Sequence, residues 1–309
     1  MTTPILVDCD PGHDDAVALL LALASPELEL LGVTTTHGNQ TLEKTTANAL
    51  RVLEFAGRDD IPVAAGADRP LERESFVAAY VHGESGLDGP ALPPPRGRPV
   101  DQHAVDFLAE RLEPGVVLVP TGPLTNVALL LERGVRPERI VLMGGSIAEG
   151  NVTPAAEFNI WADPEAAHTV FTSGLDVTMV GLDVAHKALL THDHAERLRS
   201  CGPIGRLVAE LYDFYHRFHR ETYGWDGSPI HDAVAVAHVA RPELVETAAR
   251  HVAIETDSEL CRGRTVVDLW RRTGNEPNTH VAVDIDADAF LELVLARVGA
   301  LAAHVDFAP

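Results

Sequence analysis

The sequence predicts an α/β protein built on an open, mostly parallel central sheet flanked by helices. Short apolar runs alternate along the chain with longer stretches whose apolar residues recur at helical spacing, the pattern of strand–helix crossover units. The runs themselves, ILV at 5–7, LVP at 118–120 and IVLM at 140–143, are apolar throughout rather than alternating, as strands buried on both faces are.

Taken in order, residues 5–7 read as a strand and 14–24 as a helix, then 28–34 as a strand and 42–55 as a helix. Residues 116–119 form the next strand, followed by a helix from Leu124; 140–143 is a strand, 164–171 a helix and 177–180 a strand. After about Cys201 the pattern changes. Helices are expected over 207–223 and 230–240, strands over 252–255, 265–269 and 281–284, and a closing helix over 287–298. No linker-like stretch divides the chain, so this part reads as a C-terminal extension of a single domain spanning 1–309. Residues 74–99 stand apart: they hold Gly83, Gly86, Gly89, Pro90, Pro93, Pro94 and Pro95 with no period. A loop of that length in a compact domain is functional or disordered.

The 309 residues are 46% hydrophobic and 23% charged, which excludes a disordered tail protein, a collagen-like fibre and a coiled coil. The longest apolar run, 16–24, has nine residues, against the roughly 20 needed for a membrane span. Met1 leads straight into PILVD, without the basic and then apolar regions of a signal peptide, so a cytoplasmic location is expected. A net charge of −22 repels a phosphate backbone and argues against nucleic acid as a partner. Cys9, Cys201 and Cys261 are scattered, with no Cys-x-x-Cys pair, against a disulfide framework or a thiolate zinc site.

The sharpest local feature is DCDPGHDD at 8–15, between an apolar strand and an apolar helix. Ligands of open parallel sheets bind beyond the carboxyl ends of the strands, and this segment sits at such an end. Asp8, Asp10, Asp14 and Asp15 crowd four carboxylates into eight residues. Like charges so close raise one another's pKa unless a cation intervenes, and a hard divalent ion such as calcium suits an oxygen cluster. Helix capping is the plainer explanation for Asp14 and Asp15, each favoured by the helix dipole by about 0.3–1 kcal/mol. It does not account for Asp8 and Asp10. An Asp-x-Asp after the first strand also fits a phosphohydrolase nucleophile with its acid/base partner. Such a site wants a lysine, and only Lys44 and Lys187 exist, although arginine could serve.

Other strand ends supply partners. Asn39, in THGN, follows the second strand; a turn asparagine after glycine is the bland alternative. TGPLTN at 121–126 offers backbone carbonyls, while Thr125 and Asn126 suit a helix start. MGGS at 143–146 leads to Asn151 and then to EFNIWADP at 157–164. Glu157 and Asn159, two apart, would share a face of an extended segment; amides with a carboxylate suit sugar hydroxyls. Asp163 before Pro164 reads as an N-cap. Ser228 and Pro229 can cap and start the helix that carries His231 and Asp232, and the dipole explains Asp232 without a site. With 15 histidines in the chain, His82 and His231 carry little weight alone.

The series DCDPGHDDA, HGN, TGPLTN, MGGS, EFNIWADPEA and HDA, in that order from Asp8 to Asp232, resembles the nucleoside hydrolases, the inosine–uridine-preferring N-ribohydrolase family. VHGESGLDGP at 81–90 and CRGRTV at 261–266 look most like its pyrimidine-nucleoside branch. The resemblance implies the nucleoside hydrolase fold, a bound Ca2+ and a homodimer or homotetramer. It implies Asp10, Asp15, Asp232 and the main-chain carbonyl of Thr121 as calcium ligands, with Asp10 also the general base for a calcium-bound water. It puts Asp14, Asn39, Asn151, Glu157 and Asn159 on the ribose hydroxyls, and His82 and His231 beside the base. His231 is the stronger candidate for protonating the leaving base, since imidazole titrates near neutrality. His219 stands where the pyrimidine-type pattern has Gln, followed by Tyr223 and Trp225, which border the base pocket; Tyr223 can stack on the base or hydrogen-bond it. The expected activity is calcium-dependent hydrolysis of small-molecule ribonucleosides, uridine and cytidine favoured and inosine possible. A phosphohydrolase and a non-catalytic calcium-dependent nucleoside binder are the alternatives.

Overall fold

A computed structural model describes residues 2–301. Six strands follow one another along the chain: β1 (Thr3–Cys9), β2 (Leu28–Thr35), β3 (Val63–Ala65), β4 (Val117–Pro120), β5 (Arg139–Met143) and β6 (Asp176–Val180). Two short strands, β7 (Leu189–Thr191) and β8 (Gly227–Pro229), come next, then β9 (Val245–Arg250), β10 (Val252–Ile254), β11 (Thr265–Val267) and β12 (Thr279–Ile285). The main sheet has eight strands in the order β3-β2-β1-β4-β5-β6-β12-β9. All its pairs are parallel except β12 with β9. The α/β class and the mostly parallel central sheet expected from the continuous apolar runs are thus present. Helices cover both faces, and the two faces bury separate apolar clusters, one around Leu19, Leu20 and Val234, the other around Phe107, Leu118 and Phe171.

The strand order reverses at β1. From β1 the chain adds β2 and β3 on one side, then returns to add β4, β5 and β6 on the other. Such a switch point opens a crevice at the carboxyl ends of the flanking strands, because the crossovers on either side leave in opposite directions. The segments after β1, β2, β4 and β5 all end there.

Several local expectations change. Residues 157–159 are not one extended segment: Glu157 is extended but caps the short helix Phe158–Ala162, its carboxylate accepting the Asn159 and Ile160 amides. Ser228 and Pro229 do not open a helix. They lie in β8, paired with β7, and the helix begins at His231. The pairing with Leu189–Thr191, distant in sequence, decided this. The loop 74–99 contains one helical turn, Ala79–His82, and thereby holds His82. Helices Ala104–Arg111 and His192–Arg199 and strands β3 and β9 were not foreseen. β9 and β12 extend the main sheet, so the C-terminal part shares its core. Among the described residues no helix is long and apolar enough to cross a membrane.

Candidate active site

β1 delivers Asp10 into the crevice, where glycine backbone closes around it. A Cβ on Gly38, whose φ is +152°, would lie 2.0 Å from Asp10 Oδ2, and one on Gly122 would lie 2.5 Å from Oδ1. The glycines of HGN and TGP are therefore required by the approach of this carboxylate. The Asn39 amide donates to Asp10 Oδ2 at 2.6 Å, while Oδ1 is buried without a partner.

Asp15 both caps and contributes to the site. Its Oδ2 accepts the Gly12 amide (3.0 Å), capping the helix His13–Ala24, and also Asn39 Nδ2 (3.1 Å); its Oδ1 accepts the Thr121 hydroxyl (2.8 Å). Asp14, Asp15 and Asp232 each bring an oxygen within 4.8 Å of the others. Asp10 is outside that trio but adjacent to it, since the charges of Asp15 and Asp14 both act on it. The Thr121 carbonyl accepts Asn159 Nδ2 at 2.8 Å.

Four carboxylates are thus buried together, and among the described residues no lysine or arginine pairs with them. Burial, then mutual repulsion, pushes Asp10 and Asp232 well above the usual carboxylate range and Asp15 to about 7. Orphaned oxygens remain on Asp10 and Asp14. Hard anionic oxygens, unpaired and out of water, are the donor set that fits a divalent cation.

Asp8 is different. Its carboxylate accepts the Thr34 hydroxyl (2.6 Å) and Asn126 Nδ2 (2.8 Å), and it does not line the cavity. Burial raises it to about 6. It is a brace between strands, which removes the nucleophile of the Asp-x-Asp phosphohydrolase reading. Asn126 and Thr125 do start the helix Thr125–Glu132; Asn126 Nδ2 also donates to the Thr35 carbonyl at the end of β2, and the Thr125 hydroxyl donates to Asp163. Asp163 caps Pro164–Phe171 as expected.

The cavity over the carboxylates is lined by Asp14, Asn39, Thr121, Asn151, Glu157, Asn159 and Asp232 on one side. Asp10 and Asp15 lie behind this lining, fully buried. Asn151 Oδ1 holds the Phe158 amide at 2.9 Å. Glu157 accepts three amides, Gly145 (2.8 Å), Asn159 (2.9 Å) and Ile160 (3.1 Å). Burial still outweighs them and raises its pKa.

Rings line the opposite side: His82, His219, Tyr223 and His231, with His186, Tyr215 and Phe218, which sequence reasoning did not single out. Tyr215 and His219 lie one turn apart on the helix Pro203–Tyr223, a periodicity that reads equally as core packing. Burial lowers His82, His186 and His219 to about 3 each, so these rings are neutral at pH 7. His82 is held from behind, its Nδ1 lying 3.2 Å from the His13 amide nitrogen and 3.1 Å from His13 Nδ1. Trp225 stacks on Tyr223 (4.5 Å between centroids) and lies nearly parallel to His219 (5.8 Å, 9°). The cavity therefore has a polar wall of amides and carboxylates over an anionic floor, facing an aromatic wall.

A profile described as inosine-uridine preferring nucleoside hydrolase matches residues 5–292. The chain is 52% identical over 307 residues to the pyrimidine-specific ribonucleoside hydrolase RihA of Salmonella typhi, covering 96% of this chain and 99% of that protein. RihA of Klebsiella pneumoniae subsp. pneumoniae is 50% identical with the same coverage. Among solved structures, the purine-preferring ribonucleoside hydrolase from Gardnerella vaginalis is similar with a TM-score of 0.91 and 35% identity, covering 96% of this chain and 98% of its own. The plant nucleoside hydrolase PpNRh1 is similar with a TM-score of 0.90 and 34% identity, covering 97% and 100%. Sequence, sheet order and the carboxylate-floored cavity agree: the chain belongs to the inosine-uridine preferring nucleoside hydrolase family and is an N-ribosyl hydrolase acting on ribonucleosides.

Proposed function

We propose that the protein is a calcium-dependent ribonucleoside hydrolase that favours uridine and cytidine and releases ribose and free base. The observation that carries this reading is the buried group Asp10, Asp14, Asp15 and Asp232, unpaired with any lysine or arginine of the described residues, beside a cavity wall of amides and carboxylates. Asp10, Asp15, Asp232 and the Thr121 carbonyl would hold the calcium. When bound, the ion lowers the pKa of water and orients the sugar diol.

The chain's own residues supply the rest. Asp14, Asn39, Asn151, Glu157 and Asn159 bind the ribose hydroxyls and fix the ring, so that binding energy is available to the transition state. Asp10 takes a proton from the attacking water as its oxygen bonds to C1′. The C1′–N bond breaks and its electron pair leaves with the base. Positive charge builds on C1′ and the ring oxygen and is stabilised by the carboxylates below. The base gains a proton or a hydrogen bond from the ring wall, where His231 and His82 are the candidates. His231 Nε2 is buried and free, while its Nδ1 is engaged by Asp14. The rings of His219 and Tyr223, which line the cavity, offer stacking to the base, and Trp225 stacks on Tyr223.

Preference for pyrimidines is supported by the relatives named RihA. A cytoplasmic homo-oligomer, dimer or tetramer, is part of the same reading. The test is a panel of uridine, cytidine, inosine, adenosine and 2′-deoxyuridine, assayed with and without a chelator. Turnover of uridine and cytidine that the chelator abolishes and calcium restores is expected, with 2′-deoxyuridine poor. Equal turnover of uridine and 2′-deoxyuridine, or indifference to the chelator, would overturn the ribose or the metal part respectively.

A further inference from the structure

β10 and β11 form a two-stranded antiparallel unit outside the main sheet, registered Val252 to Val267 and Ile254 to Thr265. Val252 and Ile254 pack into the apolar cluster on that face of the protein. Along β11 the side chains alternate: Val266 is exposed, whereas Thr265 is buried and reaches the turn after β5. Its hydroxyl is fully committed there, accepting the Ser146 amide at 2.8 Å and donating to the Ser146 carbonyl at 2.5 Å. Its methyl fills the space left by Gly145, whose φ is +75° and whose Cβ, if present, would lie 2.7 Å from Thr265 Cγ2. One residue thus fixes the turn by two hydrogen bonds and by contact.

That turn has one outlet into the cavity. The Gly145 amide, next to Ser146, donates to Glu157 Oε2 at 2.8 Å. The other amides on Glu157 come from its own helix start, so the Gly145 amide is the bond that ties the carboxylate to the sheet.

We propose that Thr265 is a positioning residue for Glu157, holding the Gly144–Gly145–Ser146 turn so that the Gly145 amide aims the carboxylate at the ribose. The inference rests on the reading of Glu157 as a ribose ligand. A valine at 265 has nearly the shape of threonine and no hydroxyl, so the two buried Ser146 groups lose their partner and the turn relaxes.

The test combines Thr265→Val, Thr265→Ser, Glu157→Gln and the double variant Thr265→Val/Glu157→Gln, with kcat and KM for uridine, Kd for free ribose, and circular dichroism for folding. Thr265→Val should raise KM and the ribose Kd by about tenfold with a smaller change in kcat, and Thr265→Ser, which restores the hydroxyl, should recover to within about threefold. Because the two residues act through one bond, the double variant should be no worse than Glu157→Gln by more than about twofold. Losses that multiply in the double variant would overturn the positioning role, as would a Thr265→Val enzyme with wild-type KM. If Thr265→Val does not fold, a Thr265→Ser enzyme with losses that multiply with those of Glu157→Gln overturns it equally. Should Glu157→Gln alone leave KM and ribose affinity unchanged, the ribose reading of Glu157 falls, and the inference with it.

Discussion

His231 and Asp14, 217 residues apart, meet in the cavity wall: His231 Nδ1 lies 3.0 Å from Asp14 Oδ2. Burial alone would raise the Asp14 carboxyl, but the hydrogen bond from His231 and the nearby histidines overcome it and hold Asp14 at about 2. Asp14 is therefore ionised at pH 7, whereas burial and mutual repulsion push Asp10 and Asp232 towards the protonated form. It fixes the imidazole edge-on, so that the free Nε2 faces away from the acid.

The free Nε2 makes the proposed leaving-group assistance by His231 testable. His231→Ala should slow uridine by about 10²–10⁴-fold, the usual contribution of a positioned acid. A 4-nitrophenyl riboside, whose leaving group needs no proton, should be slowed far less. His82→Ala gives the same comparison for the second ring. Equal slowing of both substrates would remove the role from the residue concerned.

Asp10 is enclosed by the backbone of Gly38 and Gly122, so Asp10→Asn should fit without rebuilding the site. Its turnover should fall by about 10³-fold or more as the base is lost. Its stability should depend on the metal. In a chelator, where the buried acids repel, the variant should melt at or above the wild type. With calcium it should melt below. Calorimetry under both conditions decides it, and a variant that retains near-wild-type turnover would end the assignment of Asp10 as the base.

His238, far from the cavity, predicts an acid-side weakness of the fold. Burial first, then the charges of Arg139 and His280, lowers its pKa from 6.5 to about 4. Between these values the unfolded chain binds the proton and the folded chain does not, so stability is lost as pH falls from 6.5 towards 4. Asp8 works in the opposite sense: raised by burial to about 6, it takes up a proton in the folded state and adds stability as pH falls below 6. The two are separated by comparing wild type with His238→Gln. The variant should lose less stability over that range, by on the order of 1–3 kcal/mol. Parallel curves in urea at pH 7 and pH 4.5 would contradict it.

The parts of this protein that were legible in its sequence are those where chemistry is local. The runs at 5–7 and 140–143 are strands because only strands of a covered sheet are apolar on both faces. HGN and TGPLTN were legible as strand-end segments facing the crevice, and their glycines form the walls around Asp10. The polar helix His192–Arg199 was not legible, since its apolar contribution is little more than Ala195 and Leu198. Nor were β3, β7 and β8, each three residues long and set by their partners rather than by their own pattern.

The candidate site divides in the same way. By itself the sequence determined which strand ends carry acids and amides, because the motif and the strand that presents it are neighbours in the chain. The tertiary structure alone decided that Asp8 braces the sheet while Asp10 enters the crevice, that Tyr215 and His186 join the ring wall, and that Thr265 reaches Ser146 across 119 residues. Those relations depend on which segments burial forces together, and a contact between distant segments leaves no local period in either of them.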